Sequence, residues 1–285
     1  MLEIISVSRR SDIPLYYWNW FQQVIKDEIV NVINPFSKKT FQVSLKPEDV
    51  AGFVFWSKDF KNFLQEHSFL DKYRRKGRPW PFFFHFTING TNKLLEPNIP
   101  SNLDQRLRQI EELVELFGTE SIMWRFDPII KWRLDGVDHN NVQMLLELLP
   151  IMEDLGISEC TFSFFQMYRK VQHRMKKFSS LEIVEFSQKE QVEMLKILTE
   201  NKTKIDFNIC CSNRVAVYLP KIKPSACIDG QRLRNLWRTN NVSLAKDFGQ
   251  RKNIGCGCTK SKDIGSYQLQ PCKNGCLYCY ANPEF

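Results

Sequence analysis

No run of about 18 apolar residues occurs in this chain, which excludes an ordinary membrane-spanning helix. The N-terminus, Met1-Leu-Glu-Ile-Ile-Ser6, lacks a basic segment and an apolar core, so no secretory signal is expected. A glycine-rich phosphate loop, a Ser–His–Asp arrangement and a zinc-hydrolase helix motif are all missing. Their absence removes the usual phosphate-cradle and hydrolase machineries. There is no internal repeat and no low-complexity linker, so solenoids and tethered modules are excluded too.

What is present is a chain of 285 residues, long enough for one large α/β domain or two small ones. The 22 Phe and 7 Trp can fill a substantial core. A net charge of +8 favours anionic partners, although many cytosolic enzymes are as basic. Nine cysteines, an odd number grouped by motif, do not read as a secreted disulfide framework. In a reducing compartment such spacing points to metal or cluster binding, and the expected location is cytoplasmic.

Strand-like and helix-like segments alternate. Buried strands are expected at 2–6, 52–56, 82–88, 121–126, 159–164 and 205–209, with a further short extended piece at 30–33. Helices are expected at 14–26, with Asp12 near the N-cap, and at 59–73, 101–117, 138–155, 181–200 and 229–237. No hairpin signals are read between the six buried strands, which argues for parallel pairing with right-handed crossovers. A full eight-stranded barrel takes about 250 residues. The expected fold class is therefore α/β, a partial (β/α)6 TIM-like barrel over residues 1–240. Residues 241–285 form a cysteine-rich tail, part of the same globular unit, packed over the barrel mouth.

Function in such barrels collects at the carboxyl ends of the strands. Those ends carry Ser8-Arg9-Arg10-Ser11-Asp12, Trp56-Ser57-Lys58, Thr87, Arg125 with Asp127, Ser163, and Cys210-Cys211. Lys58, Arg125 and Asp127 are candidates for holding a charged ligand. Arg125 can clamp a carboxylate or phosphate. Asp127 can accept from a ribose or an amine, or simply orient Arg125. Arg9, Arg10 and Asp12 either join that binding set or form an ion-pair network seating the first helix.

The tail contains Cys272, Cys276 and Cys279 in a C-x3-C-x2-C spacing. Three thiolates on one tight loop suit a [4Fe-4S] cluster whose fourth iron stays open. Gly275 lets that loop bend. Cys211 or its neighbour Cys210, with Cys227, Cys256 and Cys258, makes up a four-thiolate set for a second cluster or structural zinc. The alternative is that Cys210, Cys211 and Cys227 are ordinary buried thiols. Cys160 reads as a core residue, and His85 as a satisfied core histidine. Residues 72–80 interleave basic and aromatic side chains as nucleic-acid surfaces do, but read as a solvated loop away from the mouth. Residues 169–177 are basic on the mouth side, as a grip for an anionic substrate or a solvated lid.

Cys272-x3-Cys276-x2-Cys279, with Tyr278 before the last Cys, resembles the signature of radical S-adenosylmethionine enzymes. The resemblance implies a [4Fe-4S] cluster on these three cysteines, S-adenosyl-L-methionine on the open iron, and a 5'-deoxyadenosyl radical formed by one-electron reduction. It also implies an electron donor such as flavodoxin or ferredoxin. Two features depart from that family: its cysteine loop usually follows the first strand, and no Gly-Gly-Glu-like stretch is present here. The whole chain also resembles a bacterial family known as domain of unknown function 1848. That resemblance rests on residues 8–14, 34–36, 55–58, 124–129 and 263–267, and on the cysteine tail ending at Asn282. The family is distantly similar to the spore photoproduct lyase group of DNA-repair radical enzymes, a fold-level analogy. The expectation is an iron–sulfur enzyme acting on a small-molecule or nucleic-acid-derived substrate. The alternative is a non-catalytic iron–sulfur or zinc protein that binds nucleic acid. No particular oligomeric state and no catalytic residue is indicated.

Overall fold

Along the central strands, successive residues alternate between two apolar faces, and this alternation organises the molecule. The computed structural model describes residues 1–73, 80–90, 93–211, 221–248, 256–281 and 283. Its strands are β1 (Glu3–Val7), β2 (Ile29–Ile33), β3 (Thr40–Ser44), β4 (Val50–Ser57), β5 (Phe82–Thr87), β6 (Ile122–Ile129) and β7 (Lys131–Leu134). Next come β8 (Val137–Asn140), β9 (Glu159–Phe164), β10 (Leu181–Val184), β11 (Asp206–Ile209), β12 (Lys223–Pro224) and β13 (Lys262–Asp263). The helices are α1 (Ile13–Tyr16), α2 (Trp18–Asp27), α3 (Lys61–Glu66), α4 (Leu103–Phe117), α5 (Val142–Asp154), α6 (Arg169–Met175), α7 (Gln188–Glu200) and α8 (Gly230–Leu236).

One eight-stranded sheet runs β12-β11-β9-β6-β5-β4-β1-β13, and each pairing in it is parallel. The six expected strands thus lie side by side in chain order. Phe53, Phe55, Phe84, Phe86, Trp124, Phe126, Phe162 and Phe164 share one face with the buried sides of α2, α3, α4, α5 and α7. A doubly wound sheet would put helices on both faces and reverse its strand order. The other face carries Ile4, Val54, Phe83 and Met123, covered by Ile228, Leu233 of α8 and Val242. Among the described residues, the edge strands β12 and β13 do not pair with each other, and the sheet does not close.

Several expected helices are shorter than their hydrophobic pattern suggested. The helix expected at 14–26 breaks at Tyr17 into α1 and α2, with Asp12 capping the first. The one expected at 59–73 is α3 continued as a 3-10 turn, His67–Tyr73. Residues 138–140 are strand, because Asp135-Gly136 closes a two-residue hairpin between β7 and β8 with φ of 50° and 81°. Residues 181–184 form β10, and the helix expected there starts at Gln188, behind a Ser187–Glu190 capping box. β2 and β3 form a further hairpin. The reading that hairpins are absent is therefore corrected at both places. The β10-β7-β8 sheet and α6 enclose a separate apolar cluster that includes Leu95, Trp132, Val171 and Leu277, and this cluster anchors the tail.

Phe55 is fully buried, with the rings of Trp18, Phe21, Phe63, Phe82 and Phe84 between 5.1 and 6.2 Å away. Phe55→Ala should cost about 3–5 kcal/mol, because neighbouring rings cannot collapse into the space. A urea-melt midpoint close to that of the unaltered chain would contradict this packing.

Candidate functional site

Cβ alternation places Ser8, Lys58, Thr87, Asp127, Ser163 and Cys210 at the carboxyl tips of β1, β4, β5, β6, β9 and β11. They line one cavity of about 320 Å³. Both cysteine sets line the same cavity, Cys272, Cys276 and Cys279 as well as Cys210, Cys211, Cys227, Cys256 and Cys258.

The tail reaches the cavity through β13, which pairs with β1 so that Ser6 lies opposite Asp263. The Asp263 carboxylate accepts from Ser6 Oγ at 3.1 Å, Ser8 Oγ at 2.5 Å and the Arg9 amide at 2.8 Å. It also pairs with Arg9 Nε and Arg10 Nε, each at 3.7 Å. Arg10 Nη1 donates to the Gly265 carbonyl at 2.7 Å. A Cβ on Gly265 would lie 2.5 Å from Ser8 Cβ, so only glycine fits there.

Arg9 and Arg10 therefore serve the tail through Asp263. Asp12 takes no part in that ion-pair network. Its oxygens accept from the Leu15 amide (3.3 Å), Ser57 Oγ (2.6 Å), the Lys58 amide (3.0 Å) and Asn274 Nδ2 (2.9 Å). Burial pushes its carboxyl up to about 6, against the lowering effect of these donors. Asp12 thus caps α1 and ties the β4 tip to the cysteine loop.

The loop bearing Cys272, Cys276 and Cys279 is braced from three sides. Tyr17 donates its hydroxyl to the Pro271 carbonyl at 2.6 Å. The Leu277 amide donates to Leu95 at 2.9 Å. From α6, Arg174 Nη1 donates to the carbonyls of Leu277 (2.5 Å) and Cys279 (3.0 Å). Gly275 has φ of +67°, and a Cβ there would lie 2.8 Å from Asn98 Nδ2. Among the described residues, none of these three thiols hydrogen-bonds another. Burial pushes all three up as free thiols. Lys58 opposes that shift at Cys276, as Arg174 and Lys58 do at Cys279.

Lys58 itself is answered by Glu96, at 2.9 Å. The same carboxylate accepts from Tyr278 Oη. Glu96 carried no sequence signal, since the chain gives no hint that residues 93–98 back the tail.

The second cysteine set draws in one more member than the four expected. Cys210 Sγ lies 3.7 Å from Cys211 Sγ and 3.6 Å from Cys227 Sγ. Cys227 also contacts Cys258, Cys258 contacts Cys256, and Cys256 contacts Cys211. The sequence left Cys210 and Cys211 as alternatives, whereas both belong. Cys227 and Cys256 lie well below the usual thiol range, Cys256 down to about 3, because each accepts from two neighbouring thiols. Arg125 Nη1 donates to Cys227 Sγ at 3.2 Å, and Nη2 donates to Asp127. The other Asp127 oxygen accepts from Ser163 Oγ. Arg125 is thus engaged by a thiol and a carboxylate of its own chain. Among the described residues, no three or more His, Cys, Asp or Glu side chains are arranged to hold a metal ion.

Cys160 is a core residue on the helix-covered face. Of the basic stretch 72–80, residues 74–79 lie outside the described residues. In the stretch 169–177, Arg174 turns inward, while Arg169, Lys170, His173, Lys176 and Lys177 are exposed. Among the described residues no helix is long and apolar enough to cross a membrane.

Fold and site together define a parallel α/β protein with two cysteine sets at the carboxyl edge of its sheet. The chain belongs to the family described as domain of unknown function (DUF1848), whose model matches residues 4–281. No curated protein matches it.

His85 is fully buried, stacked on Trp56 at 3.9 Å, with Nε2 donating to the Cys227 carbonyl at 2.7 Å. Burial, with Arg125 adding to it, pushes its imidazole down to about 3. In the unfolded chain it titrates near about 6.5. The depressed folded value means that its contribution is complete above about pH 6.5 and drains away as pH falls towards 3. Urea midpoints measured against pH should therefore fall more steeply over that window for the unaltered chain than for His85→Gln.

Proposed function

We propose that the protein is an iron–sulfur enzyme of the radical S-adenosylmethionine type, with Cys272, Cys276 and Cys279 as ligands of a [4Fe-4S] cluster. The observation that carries this is the three-thiol loop, buried at a cavity into which the tips of six consecutive parallel strands open. The donor set fits the group. Each of three irons needs its own thiolate, and these three sulfurs stand apart on one rigid loop without bonding one another. Such a cluster, when bound, supplies an electron to S-adenosyl-L-methionine, whose cleavage yields a 5'-deoxyadenosyl radical.

The chain's own residues hold and shield that place. Asp12 and Arg174 fix the loop, and Lys58 offers positive charge beside Cys276. Phe164, Phe165 and Tyr168 give the cavity an apolar wall that keeps water out. Asp127, half-buried beside Ser163, can accept from a ribose or an amine.

We read the open sheet as a partial (β/α)6 barrel, over residues 1–240, with 241–285 completing the same unit. Sequential strand order, five of the helices on one face with only α8, among the described helices, on the other, and six tips around one cavity support this reading. The exposed basic residues of α6 and the turn after it favour an anionic substrate, a small molecule or one derived from nucleic acid. An electron donor of the flavodoxin or ferredoxin class would supply the reductant.

Anaerobic reconstitution with iron and sulfide, followed by reduction in the presence of S-adenosyl-L-methionine, should give 5'-deoxyadenosine. Cys276→Ala should reduce it to background. A protein whose cysteines only brace a nucleic-acid-binding surface would give no deoxyadenosine from either form.

A further inference from the structure

Three separate parts of the chain bring five thiols into contact: Cys210 and Cys211 after β11, Cys227 before α8, and Cys256 and Cys258 before β13. All five are free cysteines. Their contact sets them apart from the loop of Cys272, because a cluster gives each of its irons a separate thiolate. Among the described residues, no three of the sulfurs are arranged to hold one ion. Sulfurs that touch one another are placed to bond one another.

Within the group, Cys210 and Cys227 make the best-placed pair. Their sulfurs lie 3.6 Å apart. Both backbones are fixed: the Cys210 amide donates to the Phe162 carbonyl at 2.8 Å, and the Cys227 carbonyl accepts from His85 Nε2 at 2.7 Å. The strands that lead to them, β11 and β12, are parallel neighbours. Cys210 and Cys211 are nearly as close, at 3.7 Å. A disulfide, however, usually spans Cα atoms about 4.4–6.8 Å apart, against about 3.8 Å for consecutive residues. Arg125 Nη1 donates to Cys227 Sγ at 3.2 Å, and Arg9 adds positive charge towards the same sulfur. Guanidinium beside sulfur favours the thiolate, the form that attacks a disulfide. Both sulfurs line the cavity, so a small molecule can reach them from it.

We propose that Cys227 and Cys210 form a thiol–disulfide exchange site that takes low-molecular-weight disulfides, with Cys227 as nucleophile and Cys210 as resolving thiol. Cys227 ionises and its thiolate attacks one sulfur of R–S–S–R. The bond Cys227–S–S–R forms, and R–S⁻ leaves and takes up a proton. Cys210 then loses its proton and attacks the Cys227 sulfur. The Cys210–Cys227 bond forms as the second R–S⁻ leaves and is protonated. Two protein thiols are thereby oxidised by two electrons, and one small disulfide is reduced to two thiols. An excess of small thiol runs the same steps backwards, as a reducing compartment requires of a transient disulfide. The site does not depend on what the loop of Cys272 binds.

The test exposes the full chain, kept anaerobic, to 2-hydroxyethyl disulfide, then quenches with acid, alkylates the remaining thiols and maps them by mass spectrometry. The unaltered chain should gain a Cys210–Cys227 cross-link that dithiothreitol reverses. Cys210→Ser should stop at the mixed disulfide, with about one hydroxyethylthio group per chain, on Cys227. Cys227→Ser should lose both the cross-link and the adduct. An unaltered chain in which Cys210 and Cys227 stay alkylatable, or link to other partners, would overturn the proposal. So would iron or zinc that survives the Cys272→Ala/Cys276→Ala/Cys279→Ala substitution and shields the five thiols from alkylation. The map of the unaltered chain decides the matter even where a variant fails to fold.

Discussion

The structure depends on one carboxylate, that of Asp263. It receives two serine hydroxyls and a backbone amide from the end of β1, and it faces two arginines. Hydrogen bonds to a charged acceptor are stronger than neutral ones, and a buried charge without partners is costly. Register between β1 and β13 is thereby set, and with it the position of everything after residue 263. Arg10 and Gly265 extend the same attachment by one turn. Without it, neither the loop of Cys272 nor the pair Cys256 and Cys258 would meet the strand tips.

The cavity is rich in charge, yet most of that charge is matched within the chain. Lys58 meets Glu96, Arg125 meets Cys227 and Asp127, and Arg9 and Arg10 meet Asp263. A low-dielectric interior requires such matching, because an isolated buried ion would shift its protonation state instead. The basic residues at the strand tips are thus part of the scaffold that gathers two cysteine sets and an apolar wall around one cavity. Sulfur, more than the arginines, sets the chemical character of the space.

Much of this was legible in the sequence. Apolar runs of five or six residues ending in polar tips gave six strands, and their order in the sheet followed. What the pattern hid was local. Asp135-Gly136 is a two-residue hairpin signal, but it stood just ahead of a stretch read as helix from 138; Ser187-x-x-Glu190 is a capping box, but it lay inside a longer stretch read as helix. Leu181 and Ile183 alternate with polar residues at a period of two, too briefly to outweigh the helix that follows. The site was partly legible for the same reason. The cysteines and strand tips announced themselves by type and position. The partners of Lys58 and Arg9 did not, because Glu96 and Asp263 are distant in the chain and ordinary in composition. Cys210 and Cys211 were set out as alternatives because spacing alone cannot show that a strand end and the residue after it both turn towards one cavity.

The docking of β13 on β1 has a consequence for biosynthesis. Ribosomes release a chain from its amino end, so β1 through β11 emerge before Asp263 and the three cysteines that follow it. The first strand must wait with an unfilled edge while about 255 residues are made, counted from the end of β1 at Val7 to the start of β13 at Lys262. Loading of the proposed cluster at Cys272, Cys276 and Cys279 would then be a late event, carried out on a nearly finished sheet and not on a nascent loop.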